Sequence, residues 1–102
     1  MTRHRIASVD ELAVGTMKLI EVEDRRLCVA NLKECGIRAL DDRCTHEDES
    51  LSEGEIVNCE VECPQHGSRF SFETGEVTGL PAEQPARTYE IEVEGDDVYV
   101  EI

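Results

Sequence analysis

Two cysteine–histidine pairs of unequal pitch stand near the middle of the chain. Cys44 and His46 have one residue between them, Cys63 and His66 have two, and sixteen residues, 47–62, separate the pairs. Thiolate and imidazole are both strong metal donors, so two loops would offer two of each. Three kinds of centre take such donors. Structural zinc accepts a tetrahedral Cys₂His₂ set, but a zinc finger groups its cysteines and then its histidines on a hairpin and a helix. Here each loop mixes the two types and no helix follows. Mononuclear copper wants two histidines, one cysteine and a weak axial ligand, which leaves a thiolate surplus. A [2Fe–2S] cluster with histidine in place of cysteine on one iron uses all four. The two thiolates would converge on one iron and the two imidazoles on the other.

The flanking residues suit the third option. Pro64 stiffens the second loop, and Gly67, directly after His66, permits positive φ or close backbone approach to an inorganic sulfide. Backbone N–H groups in such turns form concave anion sites. The remaining cysteines, Cys28, Cys35 and Cys59, read as small buried or half-exposed residues, with Cys59 the most exposed of them. His4 reads as a solvated terminal residue. A mononuclear catalytic iron needs further histidine and carboxylate ligands, and His4 is the only histidine left, so the chain itself is not expected to be an enzyme.

Strands must carry these loops. "TMKLIEVE" alternates, with Met17, Leu19 and Glu21 on one face. "RRLCVANL" sets Leu27, Val29 and Asn31 against Cys28, Ala30 and Leu32, too mixed to assign a face, and "GIRAL" follows a turn at Gly36. "TYEIEVE" and "VYVEI" around "GDD" predict a β-hairpin with Tyr89, Ile91, Val93, Val98, Val100 and Ile102 inward. "EIV" and "VEC" predict a smaller hairpin turning at Asn58–Cys59, and "ETGE" marks another turn. "SVDEL" predicts one helical turn with Ser8 as cap and Glu11 three residues on. The prolines of "GLPAEQPAR" exclude a central strand and favour a surface-hugging connector. Short strands with Gly, Asp and Pro turns give an all-β antiparallel sandwich or barrel. We expect one domain, 1–102, with a two-loop cluster-binding part inserted at about 43–72.

Composition narrows the function. With 102 residues the chain supports one core, and four aromatics without tryptophan make that core modest, so a bound metal would help to hold it. A net charge of −14 excludes a polyanionic partner such as nucleic acid and fits docking onto a basic protein patch. "MTRHRIASVDEL" has no apolar run after its positive charge and no stretch is apolar enough to span a membrane, so a cytoplasmic monomer is expected. Five cysteines in such a protein point to metal or redox chemistry before disulfides.

C-T-H at 44–46, C-P-Q-H-G-S-R-F at 63–70 and T-G at 74–75 resemble the Rieske ferredoxin family, and the terminal strands extend the likeness over nearly the whole chain. The resemblance implies one Rieske-type [2Fe–2S] cluster, with Cys44 and Cys63 on one iron and His46 and His66 on the other. It implies a one-electron carrier between an NAD(P)H-dependent flavoprotein reductase and a terminal dioxygenase or related oxygenase. Alternatives are the same carrier chemistry serving iron–sulfur cluster assembly or another reductase complex, and a structural Cys₂His₂ zinc module.

Departures from the family's high-potential members are informative. Their inter-loop disulfide would fall at Glu49 and Gln65, which cannot form one. Their tyrosine donor to a cluster-bound cysteine sulfur is matched here by Phe70, whereas Ser68 keeps the other hydroxyl. Acidic residues (Glu47, Asp48, Glu49) crowd the first loop. Fewer donors and nearby carboxylates disfavour the added electron, placing the potential toward the low end of the roughly −150 to +300 mV Rieske range.

Overall fold

In a computed structural model, described for residues 2–45, 49–64, 67–80 and 82–102, eleven strands form three antiparallel sheets. They are β1 (Arg3–Ser8), β2 (Thr16–Val22), β3 (Arg25–Leu32), β4 (Gly36–Asp41), β5 (Glu55–Val57), β6 (Glu60–Glu62), β7 (Arg69–Ser71), β8 (Val77–Gly79), β9 (Thr88–Tyr89), β10 (Ile91–Glu94) and β11 (Asp97–Glu101). The orders are β1-β11-β10, β2-β3-β4-β9 and β5-β6-β7-β8. No helix among the described residues is long and apolar enough to cross a membrane.

The middle sheet has a core on each face. Alternation along β3 sends Leu27 and Val29 into one core, with Ala39, Tyr89, Val98 and Val100. It sends Cys28, Ala30 and Leu32 into the other, with Leu40, Leu51, Val61, Phe70 and Phe72. "RRLCVANL" assigns no face because both of its faces are buried.

Three sequence expectations are corrected. Leu19 is 38% exposed, while its neighbours Ile20 and Val22 pack into the first core. On the Met17 side the second core reaches only to Met17, whose Sδ lies 3.7 Å from the Cys28 thiol. Leu19, further along this edge strand, is left uncovered. Val93 is 48% exposed although it pairs with buried Val98. Tyr89 and Ile91 do not share a strand: β9 pairs with β4 of the middle sheet, and after Glu90 the chain joins β11 in the outer sheet as its edge strand β10. Tyr89 is pinned at the crossing. Its hydroxyl donates to Asp41 at 2.6 Å and accepts from Arg25 Nη1 at 3.1 Å. Burial, followed by the Asp41 contact, pushes the phenol above its ordinary range.

Local signals hold well. Val9–Glu11 is a 3₁₀ turn in which Glu11 accepts from the Ser8 N–H at 2.9 Å and the Ser8 hydroxyl at 3.0 Å. Those two bonds hold the Glu11 carboxyl below its usual range. The small hairpin pairs Ile56 with Val61 and turns at Asn58, which takes φ 55.

Candidate metal centre

Each loop is pinched at its base by backbone hydrogen bonds. The first leaves β4 at Asp41 and returns at the 3₁₀ turn Leu51–Glu53. The Cys44 N–H donates to Glu49 O at 2.9 Å, and the Leu51 N–H donates to Asp42 O at 2.6 Å. The second leaves β6 at Glu62 and re-enters β7 at Arg69. The Cys63 N–H donates to Ser68 O at 2.7 Å, and the Gly67 N–H donates back to Cys63 O at 3.3 Å. Gly67 takes φ +74, a left-handed conformation that strains side-chain-bearing residues, so the glycine is what lets the loop close over so few residues.

Cys44 and Cys63 are each 1% exposed and sit in one apolar cluster with Leu51, Val61, Phe70 and Phe72. Neither belongs to a disulfide. Two pinched loops thus each deliver a buried sulfur to the same core. His46 and His66, with Glu47, Asp48 and Gln65, lie outside the described residues. Glu49 is half-buried.

The connector after β8 closes over both loops. The Ala82 N–H donates to the fully buried Ser68 Oγ at 3.1 Å, and the Thr45 hydroxyl donates to Gln84 O at 2.6 Å. Further on, the Ala86 N–H donates to Gly75 O at 2.8 Å. A Cβ on Gly75 would stand 2.0 Å from Ala86 O, so this approach demands glycine. The surface-hugging path expected from the prolines is therefore a strap with buried anchors at Ala82 and Ala86.

Asp42 is the part of this construction that sequence reasoning missed. It is 2% exposed, and its carboxylate accepts from the Ser50 hydroxyl and from the Ser52 N–H at 2.7 Å. It ties the two ends of the Cys44 loop together. The available signal was an acid two residues before Cys44 with serines at 50 and 52 beyond the loop. Asp42→Ala leaves the Ser52 N–H without its partner and is expected to destabilise the protein by about 1–3 kcal/mol. Asp42→Asn, which keeps one acceptor, should cost less. Equal thermal midpoints for Asp42→Ala and the parent protein would remove the tie from the account.

The other cysteines correct a further expectation. Cys35 and Cys59 form a disulfide with Cα atoms 6.2 Å apart, and both are half-buried. Cys59 is therefore not the exposed single cysteine expected from its turn. Cys28 is fully buried, and desolvation, with a smaller push from Asp42, drives its thiol far above the ordinary range, so it is inert.

The donor chemistry fits an iron–sulfur group. Buried thiolates in apolar surroundings are costly unless a metal neutralises them, and two loops converging on one core suit one bridging centre rather than two. A family model described as a Rieske [2Fe-2S] domain matches residues 2–90. The ferredoxin component of biphenyl 2,3-dioxygenase from Rhodococcus jostii is 37% identical over 102 residues, spanning all of this chain and 94% of that protein. The solved ferredoxin of carbazole 1,9a-dioxygenase from Nocardioides aromaticivorans superposes with a TM-score of 0.92 at 30% identity, over 98% of this chain and 97% of its own. A chain from the complex of reduced oxygenase and oxidized ferredoxin in carbazole 1,9a-dioxygenase gives a TM-score of 0.87 at 31% identity, over 96% of this chain and 91% of that one.

Proposed function

The chain belongs to the Rieske [2Fe–2S] family and is an electron-transfer protein, and from that premise we propose its ligands, its partners and its place of work. Cys44 and Cys63 would hold one iron of the cluster and His46 and His66 the other. When bound, the cluster supplies reversible one-electron chemistry. The chain's own residues do the rest. The bases of the loops fix the two sulfurs, Phe70 and Leu51 exclude water from them, and the strap from Ala82 to Ala86 braces both loops from outside. Residues 43–72 carry the centre within a single working domain.

We further propose that the chain takes electrons from a flavoprotein reductase and hands them to a terminal oxygenase in the cytoplasm. The observation that carries this reading is the likeness, over nearly the full length of both chains, to dioxygenase ferredoxins, one of them solved in complex with its oxygenase. A reconstituted assay tests it. With NADH, a flavoprotein reductase and an aromatic-ring dioxygenase, product formation should depend on adding this chain. A reductase that fails to bleach the chain's visible absorbance, or turnover that ignores its presence, would refute the assignment.

The potential reads out the sulfur environment. Phe70 is fully buried beside the two cysteines and brings no hydroxyl, whereas Ser68 Oγ accepts from Ala82 and retains a proton to donate. Ser68→Ala should lower the midpoint potential and Phe70→Tyr should raise it, as donors to cluster sulfur stabilise the reduced state. Protein-film voltammetry decides it, and unchanged midpoints in both variants would show that these side chains do not tune the centre.

A further inference from the structure

The Cys35–Cys59 disulfide ties two layers together. Cys35 lies in the turn between β3 and β4 of the middle sheet, and Cys59 in the turn between β5 and β6 of the sheet that carries the second loop. Four residues on from Cys59, along β6, is Cys63. Cys35, unlike Cys59, lines an open surface cavity of about 570 Å³ with Arg38, Glu73, Thr88 and Glu90. The bond is therefore approachable from the Cys35 side. Disulfides in the cytoplasm, the location proposed above, are generally transient and catalytic or redox-sensing rather than permanent.

We propose that Cys35–Cys59 is a thiol-exchange site, opened by a dithiol reductant, that sets how firmly the cluster-bearing sheet is held. The inference rests on the ligand assignment above. One thiolate of the reductant attacks Cys35 Sγ from the cavity, the S–S bond breaks, and Cys59 leaves as a thiolate and takes up a proton. The reductant's second thiol then displaces Cys35 as a thiol and closes the reductant into its own disulfide. Two electrons and two protons pass to the protein.

The surroundings assign the pair a mechanical role. A Glu73 carboxylate oxygen lies within 4.8 Å of both sulfurs, and its charge works against a standing thiolate. Arg38, the cation in the cavity, spends its Nε–H on the Cys35 carbonyl at 3.0 Å, while Glu90 adds a second negative charge to the rim. What changes on opening is the tether. Without it the turn at Cys59 is no longer covalently tied to the turn at Cys35, so local opening near Cys63 becomes easier.

The test uses the intact holoprotein under argon, with and without a small dithiol, alkylated natively with iodoacetamide and mapped by peptide mass. Cys35 and Cys59 should stay unlabelled without the dithiol and both be labelled after it. In parallel, a chelator challenge followed by visible absorbance should show cluster loss about tenfold faster in the opened protein. The Cys35→Ser/Cys59→Ser variant should lose its cluster at the fast rate whether or not dithiol is present. Labelling before reduction, no labelling after it, or equal loss rates in the two states would each overturn the proposal. Labelling and the thermal midpoint also read the tether in protein without a chromophore. A colourless preparation would thus count against the cluster ligands, while a midpoint unmoved by opening would count against the tether.

Discussion

Protein carrying Cys63→Ser is expected to be purified colourless and less stable than the parent. Both halves of that outcome follow from where the residue sits. Cys63 is 1% exposed in the second core, at the base of a loop closed by its own N–H and carbonyl. Serine there supplies a poor ligand for iron and buries a hydroxyl among Leu51, Val61 and Phe70, a cost of about 1–3 kcal/mol if the hydroxyl finds no partner. Loss of the group adds the binding free energy that holds the two loops together. Cys44→Ser should behave alike. Alanine at His46 or His66 should also lose or convert the cluster, but without a polar group placed in this core. Visible absorbance and thermal melts of the four variants separate these cases. An unaltered spectrum in any one of them would remove that residue from the ligand set.

Salt should act in opposite directions on electron delivery and on stability. A net charge of −14 on 102 residues surrounds the molecule with a negative field. That field would draw in a partner with a basic docking patch, and it repels itself across the compact fold. The Debye length falls from about 30 Å at 0.01 M to about 3 Å at 1 M salt. The bimolecular rate constant with the reductase should therefore fall by about tenfold or more across that range, the lower end of what steering contributes. The thermal midpoint should rise over the same range as self-repulsion is screened. Stopped-flow reduction and melts at matched ionic strengths check both. A rate constant independent of salt would show that the acidity serves solubility and not docking.

The features legible in the sequence are those fixed by neighbours in the chain. The Ser8–Glu11 turn, the Asn58–Cys59 hairpin turn and the two cysteine–histidine loops each depend on residues within a few positions of one another. Cys44 and Cys63 stand out in the sequence by their pairing with nearby histidines, and the structure brings the two sulfurs into one core. Features set by distant elements were not legible. Leu19 is uncovered because the second core reaches only Met17, and Val93 because β10 is an edge strand. Alternation reports faces but does not say whether anything covers them. Tyr89 and Ile91 read as one strand because the change of sheet at Glu90 leaves no mark on the pattern. Asp42 and the Cys35–Cys59 bond escaped for a related reason. The partners are 8 and 10 residues apart in one case and 24 in the other, and only the folded sheets bring them together.

Whether two cysteines and two histidines hold one [2Fe–2S] cluster here is decided by pulsed EPR of the dithionite-reduced protein. The expected result is the signal of a mixed-valence iron pair with hyperfine coupling to two imidazole nitrogens, one of which disappears from any His46 or His66 variant that keeps a cluster. An EPR-silent, colourless protein containing zinc, or an iron–sulfur signal without nitrogen coupling, would contradict it.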